Sequence, residues 1–311
     1  MAFVINPELT AIAVAYTNRR MIADEVLPRI APIGTRAFKY RRFPIGEGFT
    51  VPETAVGRRG APNVVEFGGS LEDGSVADYG LEDEIPQDDI DQAGQPNQGN
   101  VPSPQARSTE MLTNLVVLDR EVRVAGIVFN PATYAGSSKI QLAGSAQWSD
   151  ASSDPIAVIS DAIEGRIVRP NIAVFGSQTW TSVRRHPKIV KAVNKTSGDT
   201  GMVSREAFAE MFELEEVLVG EGFVNTANKG QNEVFSRAWG KHAAFIHRDK
   251  LADTRRGVTF GMTVPYGARV AGDSPDSRIG LRGGVRVRVG ESVKELITAP
   301  DAAYFFQDAV A

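Results

Sequence analysis

Between residues 103 and 130, the apolar positions Met111, Leu115, Leu118, Val122, Ala125 and Phe129 recur at alternating spacings of four and three. That spacing puts them in one stripe along one side of an α-helix. Ser103 is placed to cap this helix, Pro104 suits its first turn and Pro131 stops it. The helix is about 40 Å long at 1.5 Å rise per residue, and Met111, Leu115, Leu118, Val122 and Phe129 are its expected core-facing side chains. Upstream, only residues 8–26 carry a helical pattern, with Leu9, Ile12, Ala13, Tyr16 and Ile22 on one side. Residues 35–43 (TRAFKYRRF) alternate as a strand with basic outward positions, and residues 63–67 (NVVEF) read as a returning strand. The glycines and prolines between them predict a long hairpin arm.

After the long helix, residues 133–153 are small, polar and turn-rich, and mark a boundary. Asp154-Pro155 opens a helix with Ile156, Ile159, Ile163 and Ile167 on one face, and residues 171–176 (NIAVFG) form a short buried strand. Helical pattern resumes over 177–185 and 187–194. A polar loop follows, then a helix opened by Ser204 and holding Phe208, Met211 and Phe212, and a strand over 217–224. From residue 241 the pattern is β, in HAAFIHR, VTFGMTV and VRVRV, with a loop at 275–284. The closing AAYFFQDAV is apolar enough to enter a core.

Charge is distributed unevenly. Residues 68–100 contain no lysine or arginine and nine acids, among them Glu82, Asp83, Glu84, Asp88 and Asp89, whereas residues 35–60 carry Arg36, Lys39, Arg41, Arg42, Arg58 and Arg59 against Glu47 and Glu53. Composition alone describes two solvated loops. Because a long hairpin cannot bury its own two faces, the blocks also fit charge complementarity between neighbouring copies.

The chain's 311 residues are 42% hydrophobic, with net charge −4 and no cysteine. This argues against a dedicated nucleic-acid binder and excludes disulfides, thiol catalysis and cysteine-ligated zinc. The N-terminus is a poor signal peptide, and no apolar run approaches the roughly 20 residues that span a bilayer.

No catalytic constellation emerges. His242 and His247 are five apart, a spacing that fits no metal motif, and His186 precedes a proline at a helix junction. Ser177 follows a strand, but Phe175 and Thr179 stand where a nucleophile elbow needs glycines, so it reads as a helix cap. Gly46/Gly48 and Gly220/Gly222 lack the rest of a phosphate loop and read as turn glycines. The carboxylates at 82–84 and 88–89 lack the alternating frame of a calcium loop. Arg286 and Arg288 alternate with Val285, Val287 and Val289 as a solvated or intersubunit strand face.

The order of these elements resembles tailed-bacteriophage major capsid proteins of the Hong Kong 97 type. The resemblance implies an α+β fold with an N-terminal arm (1–34) and an extended β-hairpin, the E-loop, with an acidic extended segment (35–100). A spine helix with the first part of a peripheral domain (101–153), an axial domain (154–257) and return strands of the peripheral domain (258–311) complete it. It further implies self-assembly into hexamers and pentamers of an icosahedral head enclosing double-stranded DNA, in a virion assembled in the host cytoplasm. Portal, scaffolding and decoration proteins are the expected partners, with non-specific DNA contact, no membrane, no cofactor and no enzymatic activity. Arg41, Arg42, Arg58, Arg59, Glu82, Asp83, Glu84, Asp88 and Asp89 are then the expected intersubunit residues. Some members of the family join subunits through an E-loop lysine; residues 51–65 contain none, so a noncovalent shell is expected. The alternatives are an encapsulin-like bacterial compartment and, from another class, a soluble α/β enzyme with a cation-binding acidic loop.

Overall fold

The computed structural model describes residues 3–18, 20–42, 49–65, 70–93, 103–194, 198 and 200–311. The chain opens with an edge strand, β1 (Val4–Ile5), and the Asn6 side chain then caps α1 (Pro7–Ala15) by accepting from the N–H groups of Glu8 and Leu9. The single helix expected over 8–26 breaks there and resumes only as the four-residue α2 (Ala23–Val26). β2 (Ala37–Arg42) and β3 (Ser70–Ser75) pair antiparallel, Ala37 opposite Ser75 and Arg42 opposite Ser70, as the stem of an arm. The return strand expected at 63–67 is not where the pattern put it. Asn63, Val64 and Val65 are exposed and outside any strand, the remaining two positions lie outside the described residues, and the pairing begins at Ser70.

The acidic stretch is not an open loop. It forms β3, β4 (Ala77–Pro86) and α3 (Gln87–Ala93), and β4 runs antiparallel to a strand some 200 residues later, with Glu84 opposite Arg286 and Glu82 opposite Arg288. Next comes α4 (Pro104–Val128), 25 residues long and capped by Ser103, whose side chain accepts from the Ala106 N–H. The short β5 (Lys139–Gln141) leads to α5 (Pro155–Glu164), β6 (Ile172–Gly176), α6 (Ser177–Val183), α7 (Pro187–Asn194) and α8 (Arg205–Met211). Then follow β7 (Glu216–Gly220), β8 (Phe223–Asn225), β9 (Phe235–Arg237), β10 (Ala243–Ile246), β11 (Gly261–Pro265), β12 (Val270–Asp276), β13 (Gly284–Ile297) and β14 (Ala303–Gln307). β12 has no counterpart in the sequence reading, because its Gly, Asp, Ser and Pro residues mask the alternation. It turns into β13 through Gly280 and Gly283, both at positive φ.

Two sheets result. In the first the order is β1-β12-β13-β11, with β4 on the other edge of β13; in the second it is β5-β14-β10-β6-β7. One face of the second sheet carries Phe175, Phe245 and Phe306 against Trp148, Trp180 and Phe208. Helix α4 serves both sheets. Leu112 packs with Ile85, Val287 and Val289 of the first, and Val124 and Val128 pack with Val174, Ile246 and Phe305 of the second.

The buried side of α4 is not the expected stripe. Met111, Leu115 and Val122 are 60%, 49% and 40% exposed, while Leu118 and Phe129 are half-buried, Phe129 meeting the Trp239 ring edge-on. The helix instead buries Leu112, Val116, Val124 and Val128 together with Thr109, Thr113, Arg120 and Glu121. Polar residues tolerate burial when they are hydrogen-bonded. Thr109 and Thr113 donate to the carbonyls of Gln105 (2.8 Å) and Thr109 (2.6 Å), and the two charged residues are met by the N-terminal segment.

Candidate assembly interface

Residues 22–29 lie against α4, and its charged side chains hold them there. Glu121, fully buried, accepts from the N–H groups of Ile22 (2.9 Å) and Ala23 (2.8 Å) and from Trp239 Nε1 (2.5 Å). Burial pushes its carboxyl above the ordinary glutamate range, against those three bonds, which pull it down. Arg120 donates to the Leu27 carbonyl (3.2 Å) and Thr263 Oγ1 (2.9 Å) and pairs with Asp24 at 2.9 Å. Burial, with the nearby Arg29 cation, lowers its pKa to about 10, so it stays charged at neutral pH. One turn on, Arg123 reaches Glu295 (2.5 Å) and lies 3.6 Å from the centroid of the Tyr79 ring. One helix therefore binds the N-terminal segment, both sheets and β4. The sequence reading passed over these residues; the signal was a run of charges, DREVR, inside the apolar half of the helix.

The stem of the arm packs on the first sheet, with Phe38 and Tyr40 against the cluster of Met262, Val264 and Leu296. In its stem, Tyr40 donates to Glu72 (2.6 Å), and burial together with that carboxylate pushes the phenol up to about 12. Arg42 pairs with the same Glu72 at 3.4 Å. The side chain of Arg41 lies outside the described residues. At the tip, Arg58 and Arg59 sit in an exposed turn closed by Gly60 N–H on the Gly57 carbonyl (2.8 Å), and among the described residues neither has an ion-pair partner.

Four of the five expected intersubunit acids have partners within their own chain. Arg286 bridges Glu82 (3.2 Å), Glu84 (2.7 Å) and Asp276 (2.9 Å); Arg288 also pairs with Glu82, and Arg282 with Asp88 at 3.1 Å. Partial burial pushes the Glu82 carboxyl up, but the bonds from Arg288 and Arg286 prevail and hold it below the usual range. Asp83 accepts from Ser108 Oγ of α4 (2.7 Å). The Arg286–Glu84 and Arg288–Glu82 pairs follow the strand register, and exposed pairs of this kind contribute little to stability. Asp89 alone of the five has no partner among the described residues. Among the described side chains of the nine expected residues, Arg58, Arg59 and Asp89 have no ion-pair partner within the chain.

The three histidines lie within hydrogen-bond distance of groups in their own chain. His186 Nε2 lies 3.2 Å from Ser153 Oγ and 3.1 Å from the Asp150 carbonyl, His242 accepts from the Asp308 N–H, and His247 lies against the Arg169 carbonyl. Ser177 is the first residue of α6, not its cap; Gly176 holds that position without a side-chain bond. Gly220 is not a turn residue either, since it ends β7 where a Cβ would stand 2.0 Å from the Trp239 ring. Among the described residues no group of three His, Asp or Glu side chains is placed to hold a metal ion, and no helix is long and apolar enough to cross a membrane.

Residues 133–248 match the family of phage major capsid protein E. Over 309 residues the chain is 56% identical to the major capsid protein of Pseudomonas phage JBD67, covering 99% of this chain and 98% of that one. In three dimensions it resembles a phage-related protein from Bordetella bronchiseptica RB50, with TM-score 0.75, 22% identity and 99% of both chains covered. It also resembles a chain in the capsid structure of the cyanophage P-SCSP1u, with TM-score 0.58, 10% identity and coverage of 94% and 89%. A paired stem of β2 and β3, a long helix shared by two sheets and an identity of this extent along the whole length lead to one conclusion: the chain belongs to the phage major capsid protein family and has the Hong Kong 97-type α+β capsid fold.

Proposed function

We propose that this chain builds the icosahedral head of a tailed phage, as hexamers and pentamers that enclose double-stranded DNA. The observation that carries this reading is the arm. Residues 49–65 expose Phe49, Val51, Val64 and two arginines that have no ion-pair partner among the described residues, a combination that a second copy can cover and a lone chain leaves in water. Charge at the arm tip sets register and orientation between subunits, and the buried apolar area supplies the affinity. The contact is repeated around closed symmetric rings, so a weak single interface suffices for a stable shell. With no lysine in residues 51–65, the shell is held noncovalently. A net charge of −4 keeps DNA contact weak and non-specific, so that the packaged duplex lies against the wall without being held by it. Portal, scaffolding and decoration proteins join this shell in the virion, assembled in the host cytoplasm.

Negative-stain electron microscopy of the purified protein, with a scaffolding partner added if it elutes small, tests the reading. Closed icosahedral particles are expected, and native particles should contain nuclease-protected duplex DNA. Particles that enclose protein cargo and no DNA would favour a bacterial compartment, and a monomer under every condition would remove the shell reading.

A further inference from the structure

Residues 308–311 are fastened to the second sheet through a histidine. β14 ends at Gln307, and Asp308 then takes a left-handed backbone, with φ of 52°. Residues other than glycine hold that conformation where their surroundings impose it. Three hydrogen bonds do so here. The Asp308 N–H donates to His242 Nδ1 (2.9 Å), Gln147 Nε2 donates to the Asp308 carbonyl (2.9 Å), and Gln141 Nε2 donates to its carboxylate (2.8 Å). Beyond the turn, Ala309 and Val310 are buried in the cluster that holds Trp148 and Phe306. The Trp148 N–H donates to the Ala309 carbonyl (2.7 Å), and the Ala311 N–H to Ser149 Oγ (3.1 Å).

Of these contacts, the one at His242 depends on a proton. Nδ1 accepts only when it carries no hydrogen, so the ring is the neutral tautomer protonated on Nε2. A protonated ring has two donors and no acceptor, and it sets Nδ1–H against the Asp308 N–H. An alternative partner stands close by, because Asp308 Oδ1 lies 3.7 Å from the same nitrogen. The ring packs against Phe129 at the end of α4 and Phe305 of β14, which are uncharged. On β5, opposite Phe305, Lys139 is engaged by the carbonyls of Pro131 and Tyr134, and Lys241, adjoining in sequence, is exposed. Burial pushes the His242 pKa below the ordinary histidine range, and the Asp308 carboxylate pulls it back up.

We infer that His242 is a pH-operated latch on the C-terminal tail: neutral, it holds the Asp308 N–H and docks residues 308–311; protonated, it turns to the Asp308 carboxylate and the tail undocks. The step consumes one proton from solvent and changes no covalent bond. Its direction follows from linkage. A histidine whose folded pKa is depressed contributes stability that is present above its unfolded value, about 6.5, and is lost as pH falls through the folded value. Docking is therefore the state of neutral pH. Because the ring lies between Phe129 and Phe305, its turning also reaches the end of α4.

Amide exchange of the unassembled full chain, followed by NMR from about pH 8 to about pH 5 and corrected for intrinsic rates, tests the latch independently of the shell reading. Protection at Asp308, Ala311 and Trp148 should fall together, by about tenfold per pH unit once the ring is protonated, while amides of β6 keep theirs. His242→Asn keeps an acceptor in the place of Nδ1 and does not titrate, so its tail should stay protected across the range. A flat wild-type profile, or a His242→Asn profile that falls like the wild type, overturns the inference. Should His242→Asn fail to fold, Asp308→Asn decides. Asparagine tolerates the left-handed turn and keeps the N–H, but it removes the charge that attracts a protonated ring, so the fall should begin at lower pH than in the wild type. An unchanged profile in that variant overturns the inference.

Discussion

Replacing Glu121 by alanine removes one carboxylate and leaves three buried donors, the N–H groups of Ile22 and Ala23 and the indole N–H of Trp239, without an acceptor. Each buried unsatisfied donor costs about 1–3 kcal/mol. Against that total stands the relief of no longer desolvating a carboxylate. Breaking a buried charged contact by removing one partner costs about 3–5 kcal/mol, and that is the destabilisation expected here. Glu121→Gln is milder. Its carbonyl oxygen can still accept from Ile22 and Trp239, but its amide nitrogen meets the Ala23 N–H, so about 1–2 kcal/mol is lost. The assay is urea unfolding of the unassembled protein followed through Trp239, with Trp239→Phe used to identify its share of the signal. A pH series adds a check on sign. Glu121 has a carboxyl raised above its unfolded value. Its contribution to stability is therefore fully present below the unfolded glutamate pKa and is lost as pH rises through the raised folded value. The wild type should lose stability across that window, and Glu121→Gln should lose less. An alanine variant within about 1 kcal/mol of the wild type would mean that the junction does not hold the N-terminal segment.

Four further expectations concern stability and assembly. Leu112→Ala, in the buried side of α4, should destabilise the unassembled protein by about 2–4 kcal/mol in denaturant unfolding. Leu115→Ala should stay within about 0.5 kcal/mol in that assay yet lower the yield of particles in sizing chromatography; equal stability losses would show the two faces to be misassigned. Arg58→Glu with Arg59→Glu should leave the circular dichroism of the unassembled protein unchanged and impair assembly, so normal particles from this variant would remove the tip charges from the interface. Purified wild-type shells boiled in detergent should run as a single band of one chain, and a ladder of covalent multimers would refute the noncovalent shell.

The sequence by itself determined that a long helix exists and where it ends, because a serine cap, a proline in the first turn and a proline stop act within a few residues of one another. It likewise fixed the buried strand at 172–176, the helices that follow it, and the alternation of VRVRV. The order of these elements was enough for a family resemblance. It did not determine which side of the long helix is buried. Met111, Leu115 and Val122 keep helical spacing as well as Leu112, Val116 and Val124 do, and local pattern cannot rank two such stripes. The choice was made by what the rest of the chain brings up: the N–H groups of residues 22 and 23 and the Trp239 indole make burial of Glu121 tolerable. The Leu27 carbonyl, Thr263 and Asp24 do the same for Arg120. Charge followed the same rule. A run of acids reads as a loop until a strand 200 residues away supplies Arg286 and Arg288 in register, and only then does it become the edge of a sheet. Contacts between residues close in sequence are written in local pattern, whereas burial and strand pairing depend on partners that only the folded chain brings within a few ångströms.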